Sequence, residues 1–159
     1  MIKFSRKDLE ALLPHREPML LLDSAELIIE KGECGTETKR GVAYTHIKGD
    51  EFFIQGHFPN FPVVPGVILV EMMAQATCVF FADSAANNKE QDAIKQDVIT
   101  VLTKLDNVKF RNPVKPGDTL KLEVELVKSS SLQISAKGTA SVDGKLSASA
   151  EFSFVIGKR

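Results

Sequence analysis

Gly56-His57-Phe58-Pro59-Asn60-Phe61-Pro62-Val63-Val64-Pro65-Gly66, running on into Val67-Ile68-Leu69-Val70-Glu71-Met72-Met73-Ala74-Gln75-Ala76-Thr77-Cys78-Val79-Phe80-Phe81-Ala82, is the stretch around which the chain is organised. Pro59, Pro62 and Pro65 fix φ and withhold backbone donors, so the first half reads as a stiff, irregular loop carrying His57. The second half reads as a helix opening at Pro65-Gly66, where proline suits the first turn and glycine permits close backbone approach. Its side chains are apolar nearly all round, which predicts a helix buried on all sides. Glu71 interrupts it, and a carboxylate is among the groups least often buried without a partner.

On the N-terminal side, Ser5 and Asp8 have the spacing of a capping box for a short helix that Pro14 stops. Met19 to Ile29 reads as a strand, Gly32 as a break, and Cys34 to Tyr44 as the returning strand. Beyond the helix, the polar run from Ser84 to Asp97 reads as an exposed excursion. Val98 to Phe110 is a further strand. Leu120, Leu122, Val124 and Leu126 alternate with Lys121, Glu123 and Glu125, the period of a half-buried strand. Leu132 to Val142 and Lys145 to Val155 flank Asp143-Gly144, a hairpin signal. Strands, one long apolar helix and an antiparallel meander predict an α+β domain over residues 1–159, with a curved sheet wrapped around the helix. One small sheet leaves a side of that helix to be covered, which predicts a dimer.

The 159 residues suit one domain with a real core, and the net charge of -1 offers no basic field for nucleic acid. Cys34 and Cys78 lack metal-ligand spacing, and Cys78 reads as an apolar filler of the helix. The N-terminus has no signal-peptide core. The helical run spans about 24 Å against a bilayer core of ~30 Å, so no membrane insertion is expected and a cytoplasmic protein is. No P-loop, Rossmann glycine pattern, Gly-x-Ser-x-Gly elbow or zinc spacing occurs, so neither cofactor nor metal is expected.

Glu71, Gln75 and Cys78 share one helix face. Burial there is expected to raise the Glu71 pKa and keep a proton available near neutral pH. A neutral carboxylic acid beside the His57 imidazole would make a general acid and base pair. The Gly66 N–H, at a helix N-terminus, is placed to polarise a carbonyl oxygen. Each feature also has a plain structural reading, His57 as a loop hydrogen-bonding group and Glu71 as the buried partner of a Lys or Arg. Their union on one loop–helix unit favours function. His15, His46 and Tyr44 sit in polar settings and are not expected to act directly.

Gly56-His57-Phe58-Pro59-x-x-Pro62-Val63-x-Pro65-Gly66-Val67, with Glu71-x-x-Ala74-Gln75, closely resembles the signature of 3-hydroxyacyl-[acyl-carrier-protein] dehydratases of the FabZ type. Leu13-Pro14-His15-Arg16-x-Pro18 looks like that family's opening, and Phe110-Arg111-x-Pro113-Val114-x-Pro116-Gly117-Asp118 its later strand junction. The resemblance implies a hot-dog fold, paired into homodimers and often into a trimer of dimers. It implies an apolar tunnel at the dimer interface, with His from one subunit and Glu from the other. It also implies a hydro-lyase of type II fatty acid biosynthesis that turns (3R)-3-hydroxyacyl carrier-protein thioesters into trans-2-enoyl thioesters. His57 would take the α-proton, Glu71 would protonate the departing hydroxyl, the Gly66 N–H would bind the thioester carbonyl, and Gln75 would support Glu71. Phe58, Pro65, Val67 and Val101 would line the tunnel.

FabA-type dehydratase–isomerases typically carry Asp where this chain has Glu71, which favours dehydration without isomerisation. Relatives often place a Tyr near the tunnel mouth where Val101 falls, so aromatic gating is absent or supplied by another residue such as Phe53 or Phe80. The acidic acyl carrier protein would be steered by Arg16, Lys104, Lys109, Arg111 and Lys115. Two rival readings share the fold. A thioesterase would leave His57 unexplained, and a non-catalytic acyl-thioester sensor would normally carry a DNA-binding helix-turn-helix that this sequence lacks.

Overall fold

The structure, a computed structural model, describes residues 1–31, 37–86, 98–130 and 132–158. Along the chain run β1 (Ile2–Phe4), α1 (Arg6–Leu12), β2 (Ser24–Lys31), β3 (Glu37–His46), α2 (Gly66–Ala86), β4 (Val98–Phe110), β5 (Thr119–Ser129), β6 (Gln133–Val142) and β7 (Lys145–Lys158). The strands form one antiparallel sheet in the order β1-β2-β3-β5-β6-β7-β4, with α2 packed on it. This is the α+β hot-dog architecture, as expected.

Local chemistry accounts for the elements. The Ser5 hydroxyl accepts from Asp8 N while the Asp8 carboxylate accepts from Ser5 N at 2.8 Å, closing the capping box of α1. In β5, Leu120, Leu122 and Val124 are buried while Lys121 and Glu123 stay half-exposed. The β6–β7 hairpin turns at Asp143 and Gly144, both at positive φ (48° and 76°), as its two-residue loop requires. β3 crosses close to α2 at Gly41, where a Cβ would stand 1.7 Å from Phe80 Cε2.

Three expectations change. The strand expected from Met19 begins only at Ser24. Residues 19–22 instead follow a tight turn (Leu20 N to Arg16 O, 3.0 Å), and their backbone bonds to side chains: Leu21 O accepts from Thr45 Oγ1 at 2.8 Å and Leu21 N donates to Gln75 Oε1 at 3.0 Å. The returning strand begins at Glu37, and Cys34 lies outside the described residues. The helix reaches Ala86 rather than ending near Ala82, and residues 87–97 of the polar run lie outside the described residues.

The face of α2 expected to need a partner is largely closed by the chain itself. Met72 to Phe80 are all buried, with Leu9, Leu13, Leu20, Leu21 and Leu22 among the residues of the same core. The openings are Val67, 71% exposed, and Glu71, whose side chain is 30% exposed. What one chain leaves open is an edge. β4 ends the sheet, 13 residues long, and exposes Val101, Leu105 and Phe110. Among the described residues, no helix is long and apolar enough to cross a membrane.

Candidate active site

The proline loop is locked by short-range backbone bonds before any tertiary contact. His57 N donates to Ile54 O at 3.0 Å, Val63 N to His57 O at 2.9 Å, and Phe58 and Phe61 exchange N–H···O bonds of 3.0 and 3.1 Å. The loop is pinned to the sheet side by Val64 N to Val114 O at 2.8 Å. Within it the His57 ring stacks on Phe58 at 4.3 Å, and Nδ1 stands 3.0 Å from the Val63 carbonyl. A carbonyl oxygen only accepts, so Nδ1 carries the proton and Nε2 keeps its lone pair. That is the tautomer a base needs.

His57 lines a cavity of about 510 Å³, together with Pro65, Gly66, Val67, Phe110, Arg111 and Ser147. The α2 ladder starts with Ile68 N and Leu69 N on Pro65 O, so the N–H groups of Gly66 and Val67 precede it and form part of the positive end of the helix dipole. The Phe110 ring lies over Gly66, where an added Cβ would come within 2.8 Å of it. Base, helix N-terminus and apolar wall therefore share one space.

Glu71 is elsewhere. It is not among the residues lining that cavity, and its partners within the chain are Gln75 Nε2 at 2.9 Å and His15 Nε2 at 3.5 Å, both on Oε1. Helical geometry explains the separation: five residues at ~1.5 Å and about 100° each put Glu71 roughly 7.5 Å along and about 140° round from Gly66. The expected neutral carboxyl is also corrected. Burial is the largest influence and pushes the Glu71 pKa up, but the hydrogen bonds from His15 and Gln75, with the charge of His15 when protonated, hold it below the ordinary carboxylate value.

Gln75 is saturated. Its Nε2 donates to Met19 O at 2.7 Å and to Glu71, and its Oε1 accepts from Leu21 N, so the amide can take only this orientation. His15, which the sequence reading set aside, stands beside Glu71. The available signal was its position in Leu13-Pro14-His15-Arg16, a conformationally restricted turn next to the buried leucines. Cys78, as expected, is a buried filler. Burial, with a smaller push from Glu71, drives its thiol up to about 11 against a contact with Thr100 Oγ1.

Of the tunnel residues, Pro65 and Val67 line the cavity, whereas Phe58 stacks on His57 and Val101 sits exposed on β4, paired with Val155. Neither suggested aromatic stands at the cavity. Phe80 is in the core against Gly41, and Phe53 faces a separate cavity of about 590 Å³ beside Leu21 and Met72. The aromatic at the site is Phe110. Of the basic candidates, Arg111 lines the cavity, Lys115 lies 5.1 Å over the Phe61 ring, and Lys109 is exposed near the end of β4. Arg16 binds the Leu13 and His15 carbonyls at 2.9 and 2.7 Å, and Lys104 pairs with Asp106 at 2.8 Å. Among the described residues, no group of three or more His, Cys, Asp or Glu side chains could hold a metal ion.

Comparison with known proteins places the chain in a family. The model of the FabA-like domain matches residues 13–151. In solved structures, the dehydratase heterocomplex ApeI:P from Xenorhabdus doucetiae has a chain that superposes with a TM-score of 0.71 at 19% identity, covering 92% of this chain and 89% of its own, a likeness of fold. The 3-hydroxyacyl-[acyl-carrier-protein] dehydratase FabZ of Clostridium perfringens (strain SM101) is 41% identical over 150 residues, 94% of this chain and 96% of the relative. That of Clostridium kluyveri is 40% identical over 156 residues, 98% of each. The chain belongs to the FabA-like domain family and, within it, to the FabZ-type 3-hydroxyacyl-[acyl-carrier-protein] dehydratases.

Proposed function

We propose that the chain dehydrates 3-hydroxyacyl carrier-protein thioesters to trans-2-enoyl thioesters in fatty acid biosynthesis, with His57 as base and Glu71 as acid. The observation that carries this reading is the cavity that His57, with Nδ1 on the Val63 carbonyl, shares with the N-terminus of α2 at Gly66. The thioester carbonyl oxygen is bound at the Gly66 N–H, which stabilises the negative charge that develops there. His57 Nε2 takes the α-proton as the C–H bond breaks. The electron pair passes through the enolate to form the Cα–Cβ double bond, and the β C–O bond breaks. The leaving hydroxyl takes a proton from Glu71 and departs as water, and proton transfer from the imidazolium back to the carboxylate restores the site.

Glu71 lies on the other wall of α2, so the acid comes from a second copy of the chain. Antiparallel pairing of two β4 edges around a two-fold axis would extend the sheet, cover Val101, Leu105 and Phe110, and set the two α2 helices side by side. Covering the part-exposed Glu71 adds to the burial that already pushes its pKa up, and so moves it toward the protonated acid the reaction needs. Arg111 at the cavity, with Lys109 two residues before it in sequence, offers positive charge that suits an acidic carrier protein.

The test is mass spectrometry of products from a short 3-hydroxyacyl carrier-protein thioester, with wild type beside His57→Ala and Glu71→Gln. Expected is the enoyl thioester from wild type and its loss in both variants. Free acid from wild type would make this a thioesterase, and binding without turnover would make it a sensor.

A further inference from the structure

The elimination scheme leaves His15 without a role, yet its geometry is specific. The ring is part-buried, Nε2 stands 3.5 Å from Glu71 Oε1, and Nδ1 is buried without a hydrogen-bond partner. A proton on Nδ1 would leave that N–H unpaired and set a Nε2 lone pair against the carboxylate. A proton on Nε2 leaves only the Nδ1 lone pair unpaired, so the Nε2–H tautomer is the favoured one. The turn that presents the ring is itself held, because Arg16 Nη1 donates to the carbonyls of both Leu13 and His15, and Leu13 is buried in the core.

Two groups from different segments thus converge on one oxygen of Glu71, a hydrogen bond from Gln75 Nε2 on α2 at 2.9 Å and a longer contact from His15 Nε2 on the N-terminal turn at 3.5 Å. Both are on Oε1, so Oε2 is the oxygen at which a protonated Glu71 best carries its proton. We propose that His15 is a positioning residue for Glu71, which with Gln75 fixes Oε1 and presents Oε2 to the substrate hydroxyl. The assignment rests on the dehydratase reading of Glu71. The other titratable neighbour on this face is Cys78, whose thiol is pushed up by burial and by Glu71, so it stays neutral while the carboxyl titrates.

The test follows the ¹³C-labelled carboxyl of Glu71, assigned by its disappearance in Glu71→Gln, through a pH titration of wild type, His15→Leu and His15→Gln. The midpoint is expected to rise in His15→Leu relative to wild type, and to return most of the way in His15→Gln, whose amide keeps an N–H in reach. With carrier-protein substrate, His15→Leu is expected to lower the pH-independent kcat about 10- to 100-fold with KM little changed, and His15→Gln to recover most of it. A Glu71 midpoint and a kcat that both ignore His15→Leu would overturn the assignment while leaving the dehydratase reading standing. An inactive wild type would instead remove the dehydratase reading, and the titration would still decide whether His15 governs Glu71. Should His15→Leu fail to fold, ¹⁵N shifts of the wild-type ring in mildly alkaline buffer decide: Nε2–H supports the assignment and Nδ1–H overturns it.

Discussion

Replacing Gln75 by leucine separates polar geometry from volume in the core. The side chain is 1% exposed and makes three hydrogen bonds, to Met19 O at 2.7 Å, Glu71 Oε1 at 2.9 Å and Leu21 N at 3.0 Å. Leucine of similar size leaves the buried Leu21 N–H without an acceptor, at roughly 1–3 kcal/mol, and removes two further bonds worth about 0.5–1.5 kcal/mol each. The added apolar burial returns about 1–2 kcal/mol, so the middle of these ranges gives a net loss of roughly 2–3 kcal/mol. With a urea m-value of about 2 kcal/mol/M, the midpoint should fall by about 1–1.5 M at fixed protein concentration. Gln75→Glu sharpens the test. It keeps an acceptor for Leu21 N but turns oxygens toward Met19 O and the Glu71 carboxylate, so it should be unstable at neutral pH and recover on acidification. A Gln75→Leu midpoint within about 0.3 M of wild type would refute the view that this amide ties residues 19–22 to α2.

Three further outcomes are expected. Gly41→Val puts a side chain into the Phe80 ring, and such overpacking should cost about 1–3 kcal/mol or more in urea unfolding, whereas a tolerant protein would show that β3 and α2 can move apart. Asp8, Glu51 and Glu71 all titrate below their ordinary values, so their contribution to stability is present above the unfolded carboxylate pKa of ~4.3 and is lost as pH falls through the lower folded values; a urea midpoint that stays flat on acidification through that window would contradict this. Val101→Lys puts a charge on the exposed apolar edge of β4 and should lower the mass seen by light scattering, while an unchanged mass would place the interface elsewhere.

Most of the fold was legible because its signals were local. The capping box of Ser5 and Asp8, the alternation in β5 and the Asp143-Gly144 turn each depend on neighbours within a few residues, and the strand from Val98 to Phe110 came out with the expected bounds. Met19 to Leu22 failed for the opposite reason. Their leucines suit a strand, but a glutamine more than fifty positions away takes their backbone groups. No pattern within that segment encodes such a partner. The site divides in the same way. His57, Gly66 and the proline loop are close in sequence and come together as read, while His15 reaches Glu71 only through the tertiary path of the N-terminal turn.

The ionisation of Glu71 shows how far one chain can be read alone. Sequence reasoning took burial to be decisive and expected a neutral acid, and burial is indeed the strongest influence on the group. The Gln75 hydrogen bond and the His15 contact on Oε1 nevertheless outweigh it while the side chain stays 30% open to solvent. Closing that opening changes only one side of the balance, because the donors are already in place and the desolvation is not complete. Further burial of Glu71 beneath a second subunit or an acyl chain would therefore push its pKa up from where the single chain holds it, toward the acid form the proposed reaction uses.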